Sequence, residues 1–220
     1  MAKVNAVRST SRGSDTDKRR RIFDAAEQLF ARDGFAGTPL RSISTAAEVD
    51  LALINHHFGS KQKLFEAVIA RRADIVHRDR LEALEDCRTR AKGAPPIEDL
   101  VAAFLHPLFG RAQSSPEWRN YLRLVARLSV EKEWVEMLAA LYNPTAKYFI
   151  NAMRMVYTEA SEEKLYWAYH FLLGSMVFTG ADSGRIDKLS DGLVQSGNFS
   201  TAYDHLVTFT SAGIRAILED

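Results

Sequence analysis

The sequence predicts an all-α protein: an N-terminal three-helix helix-turn-helix unit, followed by a larger helical domain. Three observations predict it. Apolar residues recur every three or four positions along most of the chain, which is the period of an amphipathic helix. No stretch alternates apolar and polar residues as a half-buried strand does. Cap-then-proline pairs, which start helices, occur at Thr38-Pro39, Ser115-Pro116 and Asn143-Pro144.

Each element has its own local reason. Residues 1–15 are Ser, Thr, Arg, Asn and Ala with little apolar periodicity, and a disordered arm is expected there. From Asp17 a helix begins, with Ile22, Ala25, Ala26, Leu29 and Phe30 along one face. Lys18, Arg19, Arg20 and Arg21 fall in its expected first turn, where the helix dipole is already positive. Gly34 stops this helix as a C′ residue, and Phe35 packs back. Thr38 caps a second helix whose buried face is Leu40, Ile43 and Ala47. It breaks at Val49-Asp50 after about two turns. Asp50 caps a third, Leu51 to His57, which Phe58 closes. Two such helices joined by a tight turn form a helix-turn-helix. The expected DNA-binding unit is therefore residues 16–60, and residues 61–220 form the second domain.

Ser60 caps a long helix from Lys61 to about Cys87 or Arg90, roughly 40 Å at 1.5 Å per residue, with Leu64, Val68, Ile75 and Leu84 inward. Gly93-Ala94-Pro95-Pro96 is a linker. Further helices are expected at 97–112, 116–129, 131–142, 144–159, 162–179 and 201–218. Pro107 should kink the first of these. Glu162 and Glu163 follow Ser161 in a first turn, where acids belong. Residues 182–199 are rich in Gly, Ser and Asp and read as a loop.

Composition narrows the partners. The chain has 220 residues, and 46% hydrophobic content supplies a core and excludes global disorder. A net charge of +1 excludes a uniformly basic protein. The charge is uneven, however. Residues 1–63 carry 11 Lys/Arg against 7 Asp/Glu, and the remainder carries 18 against 21. A cationic front on an acidic body fits a small polyanion-binding head. Cys87 is the single cysteine, so no intrachain disulfide forms and a cytoplasmic location is expected. Residues 1–21 lack the apolar core of a secretory signal. The apolar run 171–181 is too short for a bilayer, so no membrane partner is expected.

The chain resembles the TetR family of bacterial repressors. The resemblance lies in Arg21 through Phe30, Gly34-Phe35, Thr38 through Ile43, Ala46 through Val49, His57 through Lys61, and Leu64-Phe65. More weakly, Arg80-Leu81, Ala103-Phe104-Leu105, Pro107-Leu108, Tyr166-Trp167 and His170 through Gly174 resemble a branch that includes regulators of fatty-acid metabolism. The first resemblance implies a homodimer on double-stranded DNA, paired through the last two long helices. It also implies a cavity for a small-molecule effector. The second implies an acyl-type effector. Two positions depart from the family pattern: Asn55 stands where an aromatic residue is usual, and Glu48 where the turn usually has glycine.

The residues carry their own chemistry. A recognition helix presents its N-terminal part to base edges in the major groove. Here that part offers Leu51, Ala52, Leu53, Asn55 and His56: apolar groups suit thymine methyls, Asn55 suits adenine, and His56 reaches a phosphate. Lys61, at the start of the long helix, and Thr38 and Arg41, at the second, suit phosphates. Leu172, Leu173, Ser175, Met176 and Val177 around Gly174, with Leu206, Val207, Phe209, Ile214 and Ile217, are the expected dimer face. Phe104, Phe109, Trp118, Tyr121, Phe149, Met153 and Tyr157 are the expected lining of the effector cavity, with His106, Arg127 and His170 as polar anchors. Aromatic residues at helical spacing equally read as plain core.

No nucleophile–base constellation, phosphate loop or metal-ligand spacing is visible. No enzyme activity, cofactor or metal is expected, and adjacent His56 and His57 point about 100° apart on a helix. The expected function is a repressor released from a palindromic operator by a small hydrophobic ligand. An activator or a ligand-independent DNA-binding protein of the same fold remains the alternative.

Overall fold

The computed structural model describes residues 6–91 and 93–219, with side chains from Asp15 onward. Among the described residues there are helices and no strand. The order is α1 (Ala6–Gly37), α2 (Leu40–Ala47), α3 (Leu51–Phe58), α4 (Lys61–Ala91), α5 (Ile97–Ser114), α6 (Pro116–Leu128), a single 3₁₀ turn at Lys132–Trp134, α7 (Val135–Val156), α8 (Glu162–Gly180), α9 (Arg185–Leu189) and α10 (Phe199–Leu218). The chain divides into two units, one ending at Arg71 and the other starting at Arg72. The division falls inside α4, beyond the boundary expected at residue 61. Leu64, Phe65, Val68 and Ile69 of α4 are all buried, so the start of this helix supplies core to the first unit.

The first unit is held by aromatic edges. Phe30 and Phe65 meet edge to face at 4.8 Å, Phe35 lies 5.0 Å from Phe65, and Phe23 meets Phe58 at 5.2 Å. Phe35 thus packs back as expected, after the chain turns at Gly34 with φ 75°. α1 starts at Ala6, so residues 6–15 of the expected arm continue a helix, and residues 1–5 lie outside the described residues. Extending an existing helix is far easier than nucleating one, and this segment has no proline. Lys18–Arg21 therefore lie about three turns inside α1, away from the positive helix end.

The second unit is built on α5, which packs against α10, α6 and α7, while α8 packs against α10, α6 and α7. Its caps follow the sequence. Ser115 accepts from the Trp118 N–H, Ser161 from Lys164, and Asn198 from Thr201. Pro107 lies inside α5. Pro144 does not start a helix as expected, because α7 runs straight through it. Thr145, Ala146, Phe149 and Ile150, just beyond it, are buried. Packing of that face outweighs the one backbone donor that proline removes. The 182–199 loop contains α9 and is pinned at both ends. The Asp182 carboxylate accepts from Arg123 and from the Ser196 hydroxyl, and Asp187 accepts from the Ser196 N–H at 2.7 Å. On α4 the inward stripe is Ala73, Val76, Arg80, Leu84 and Cys87, all buried. Ile75 is half-buried and belongs to the flank of that stripe. Burial raises the Cys87 thiol pKa and keeps it protonated.

Gly180 closes the packing of α8 on α6. A Cβ there would lie 2.5 Å from Leu122 Cδ1, and Leu122 is itself buried. Gly180→Ala should therefore cost about 1–3 kcal/mol by overpacking, measured as a lowered midpoint in urea denaturation. An unchanged midpoint would mean that α6 and α8 slide apart freely.

Candidate functional site

The α2–α3 pair is set up by a C-terminal cap that the sequence does not favour. Glu48 adopts φ 52°, ψ 49°, the left-handed conformation. This lets its N–H reach the Thr45 carbonyl at 3.2 Å and the Val49 N–H reach Ser44 at 3.0 Å. That is the bonding pattern of a Schellman cap, in which C′ is usually glycine. A side chain there costs roughly 1–2 kcal/mol. The Glu48 carboxylate lies 3.3 Å from Arg21, a surface contact of small value.

Ile54 and Phe58 bind α3 to the core. The opposite face is free. Leu51, Ala52, Asn55 and His56 fall within about 140° of one another at 100° per residue, with Ala52, Asn55 and His56 exposed and Leu51 half-buried. Leu53 lies beyond the edge of this face. It lines a groove with Lys18, Ser44, Thr45, Glu48 and Asp50. Two elements therefore bracket Leu53, whereas Ala52, Asn55 and His56 present directly outward. His57 is half-buried, with Nε2 3.2 Å from an Asp15 carboxylate oxygen.

The residues expected at phosphates divide. Arg41 is exposed on α2. Lys61 stands in the first turn of α4 with its ammonium 4.5 Å above the Phe35 ring, and Ser60 caps that turn by accepting from Lys63 N–H at 3.1 Å. Thr38 is different and corrects the expectation. It is fully buried, and its hydroxyl donates to the Gly34 carbonyl at 2.8 Å, with the Leu29 carbonyl 3.2 Å away. It neither caps α2 nor faces solvent; it ties the end of α1 to the start of α2. Sequence reasoning missed Arg19. Its guanidinium lies 4.9 Å from the Phe23 ring and 5.7 Å from Phe58, so a stacked cation borders α3.

In the second unit, Phe104, Phe109, Trp118, Tyr121, Phe149 and Met153 are buried, and Tyr157 is half-buried. They spread over several contacts instead of converging. Phe104 meets Phe149 at 5.1 Å, Phe109 meets Phe199 at 5.7 Å, and Trp118 meets Tyr121 at 5.7 Å. Tyr157 sits near the Arg215–Glu98 ion pair. His106, Arg127 and His170, the expected polar anchors, are all exposed. The expected dimer face also changes. Leu172, Met176, Leu206 and Ile214 are buried within the unit itself. Beyond Glu162 and Glu163 of its first turn, the exposed residues of α8 are Tyr166, Trp167, His170, Phe171, Gly174 and Phe178, one continuous stripe at helical spacing. Phe209 on α10 is 72% exposed.

Comparison with known proteins assigns this architecture. A family model described as "Bacterial regulatory proteins, tetR family" matches residues 22–68, which takes in both short helices. A second, "Tetracyclin repressor-like, C-terminal domain", matches residues 102–213, half of the chain. The chain belongs to the TetR family of regulators. Among curated members, the HTH-type transcriptional regulator BetI of Rhizobium meliloti is 31% identical over 128 residues, 52% of this chain and 62% of BetI. The HTH-type transcriptional regulatory protein RaaS of Mycobacterium tuberculosis is 48% identical over 56 residues, 26% of each chain. The chain thus spans less than two thirds of the length of these TetR-family relatives. Solved structures share the fold. Salmonella enterica GusR has a TM-score of 0.56 at 21% identity, covering 92% of this chain and 96% of GusR. The fatty acid degradation regulator FadR of Bacillus halodurans has 0.58 at 14% identity, covering 86% and 97%. No helix among the described residues is long and apolar enough to cross a membrane.

The Glu48 conformation gives a graded test. Glu48→Gly should raise stability by up to about 1 kcal/mol, and Glu48→Val should lower it by about 1–2 kcal/mol, because a β-branched side chain fits the left-handed region worst. Urea midpoints in the order Val, Glu, Gly are expected. An inverted order would show that the turn relaxes out of this conformation.

Proposed function

We propose that this chain is a homodimeric, DNA-binding transcriptional repressor released from a palindromic operator by a small molecule. The observation that carries the reading is the outward face of α3. Ala52, Asn55 and His56 are exposed and Leu51 borders them half-buried, on a helix fixed from behind by Ile54 and Phe58. Base-edge reading needs a rigid helix with a free N-terminal face. Arg41 and Lys61 supply phosphate contacts that set register without reading sequence. Arg19, stacked on Phe23 and Phe58, adds a third cation at the border of α3.

A single unit of this size contacts few base pairs, and two copies reading a palindrome are the general solution. The exposed stripe of α8, with Phe209 of α10, supports that assembly. Large aromatic residues half or more exposed on one face are unusual in a monomer. The release step uses α4, whose first residues lie in the DNA-binding unit and whose remainder lies in the second unit. A ligand that favours another setting of α4 weakens operator binding by the factor by which operator weakens ligand binding. The curated names of two relatives, the repressors NicS of Pseudomonas putida and AcnR of Corynebacterium glutamicum, support repression as the sign of regulation.

Selection of bound duplexes from a random pool is the deciding experiment. It should yield an inverted repeat whose half-sites lie about one helical turn apart. Recovery of no preferred duplex at low salt would sink the reading. On the selected operator, Lys61→Ala should weaken all sequences alike and reduce the salt slope by about one, whereas Asn55→Ala should change base preference, as read by competition binding. Phe171→Glu should convert the dimer to monomer in sedimentation without unfolding it, since Phe171 is 54% exposed in the single chain. A dimer that survives this change would place the interface elsewhere.

A further inference from the structure

We infer that Arg80 is the receptor for the anionic head of the effector, and that the effector is an organic carboxylate with an apolar body. Arg80 occupies a core position of α4, in step with Val76 and Leu84, and is 3% exposed. Its Nε donates to the Phe104 carbonyl at 2.8 Å, and Nη2 reaches the Met176 sulfur at 3.3 Å. The guanidinium carbon lies 3.8 Å above the Phe104 ring. Among the described residues no carboxylate pairs with it, and the titratable groups around it are the neutral phenols of Tyr169, Tyr142 and Tyr121.

That arrangement is incomplete as a structural element. A buried cation without a counter-charge carries a desolvation penalty of several kcal/mol. A ring face and a thioether are weak replacements, since a thioether is a poor acceptor. Three half-buried arginines of this unit face carboxylates, Arg111 at Asp79, Arg123 at Asp182 and Arg215 at Glu98, whereas Arg80, more deeply buried than any of them, does not. With Nε committed to Phe104, the terminal Nη1–Nη2 edge is left with the sulfur. A guanidinium edge matches the two oxygens of a carboxylate.

The surroundings set the rest of the ligand. Tyr121 and Tyr142 pair hydroxyl to hydroxyl at 2.5 Å. The Tyr169 hydroxyl has no hydrogen-bond partner among the described residues, and its ring meets Phe104 at 5.6 Å. Phe149 closes the group from α7. A head that takes the Arg80 fork and a tyrosine hydroxyl therefore carries a body that lies against Phe104 and Phe149. Met176, a flexible side chain that tolerates repacking, is the group such a head would displace. Arg80, Phe104, Met176 and Tyr142 come from α4, α5, α8 and α7, so one ligand there contacts four helices, including the one that continues into the DNA-binding unit.

This inference rests on the effector-release reading, and the test separates the two. Purified full-length protein is titrated calorimetrically with benzoate and octanoate, with neutral benzamide and octanamide, and with phenyl phosphate. One acid should bind once per chain, at least about tenfold more tightly than its amide. Arg80→Met should lose at least about tenfold in acid affinity while leaving the amides unchanged, with Arg80→Lys between. Arg80→Met should also melt no lower than the wild type, because replacing an unpaired buried ion by an apolar chain is commonly neutral or stabilising; a purely structural arginine would give a lower melting point. Equal affinity for acid and amide in the unaltered protein, no binding of either acid, or undiminished acid binding in folded Arg80→Met each overturns the site. Preference for phenyl phosphate over both acids overturns the carboxylate class. Acid binding that depends on Arg80 but leaves operator affinity unchanged upholds the site and removes the release reading.

Discussion

Ile54 and Phe58 are the buried residues of α3, and the outward surface of that helix depends on them. An eight-residue helix is unstable alone, because nucleation is costly and few bonds follow it. α3 persists because these side chains enter a core built from Phe23, Phe30 and Phe65 on longer helices. The same anchoring leaves Ala52, Asn55 and His56 exposed, with Leu51 half-buried at their edge. Rigidity behind and freedom in front are thus one constraint, and α2 repeats it with Ile43 and Ala47 buried. Thr38 belongs to this support and not to the surface. Its hydroxyl fastens the carbonyl end of α1 to the start of α2, so the angle between these two helices does not rest on the connecting residues alone.

The second unit obeys the opposite economy. Its core is large and mostly apolar, yet it encloses a guanidinium. Nothing in helix stability asks for an arginine among Val76, Leu84, Phe104 and Met176. Where sequence and fold agree everywhere except at one buried charge, that position is where function is expected. Burial lowers the Arg80 pKa from its usual range, and nearby Tyr142 is pushed up to about 12. Both shifts have the same cause, removal from water, and both mark a polar group placed inside an apolar region.

Much of the fold was legible because helices announce themselves locally. The helical period and the turn residues located the short helices, although neither Thr38 nor Asp50 caps with its side chain, whereas Ser60, Ser115 and Ser161 cap where expected. The departures share a cause as well. Pro144 signals a helix start, but burial of Thr145, Ala146, Phe149 and Ile150 holds one helix through it. Glu48 was recognisable as an awkward residue for its turn, and it holds the left-handed conformation all the same. Of the site residues, the outward set on α3 follows from the helical period once Ile54 and Phe58 are assigned to the core. Arg80 was hidden by its neighbours. Arg78-Asp79-Arg80 reads as a solvated charge run unless the 3–4 stripe through Val76 and Leu84 is followed through it.

By itself the sequence determined the helical class, the order of the elements, the helix-turn-helix and the charge contrast between front and body, because each depends on residues near one another along the chain. Tertiary structure decided which of several apolar stripes turned inward. It buried Leu172 and Met176, left Trp167 and Phe171 outside, closed the aromatic residues of α5 and α6 into core, and enclosed Arg80 without a counter-charge. Those outcomes depend on which faces meet across the bundle, and a helical period repeats without naming its partner.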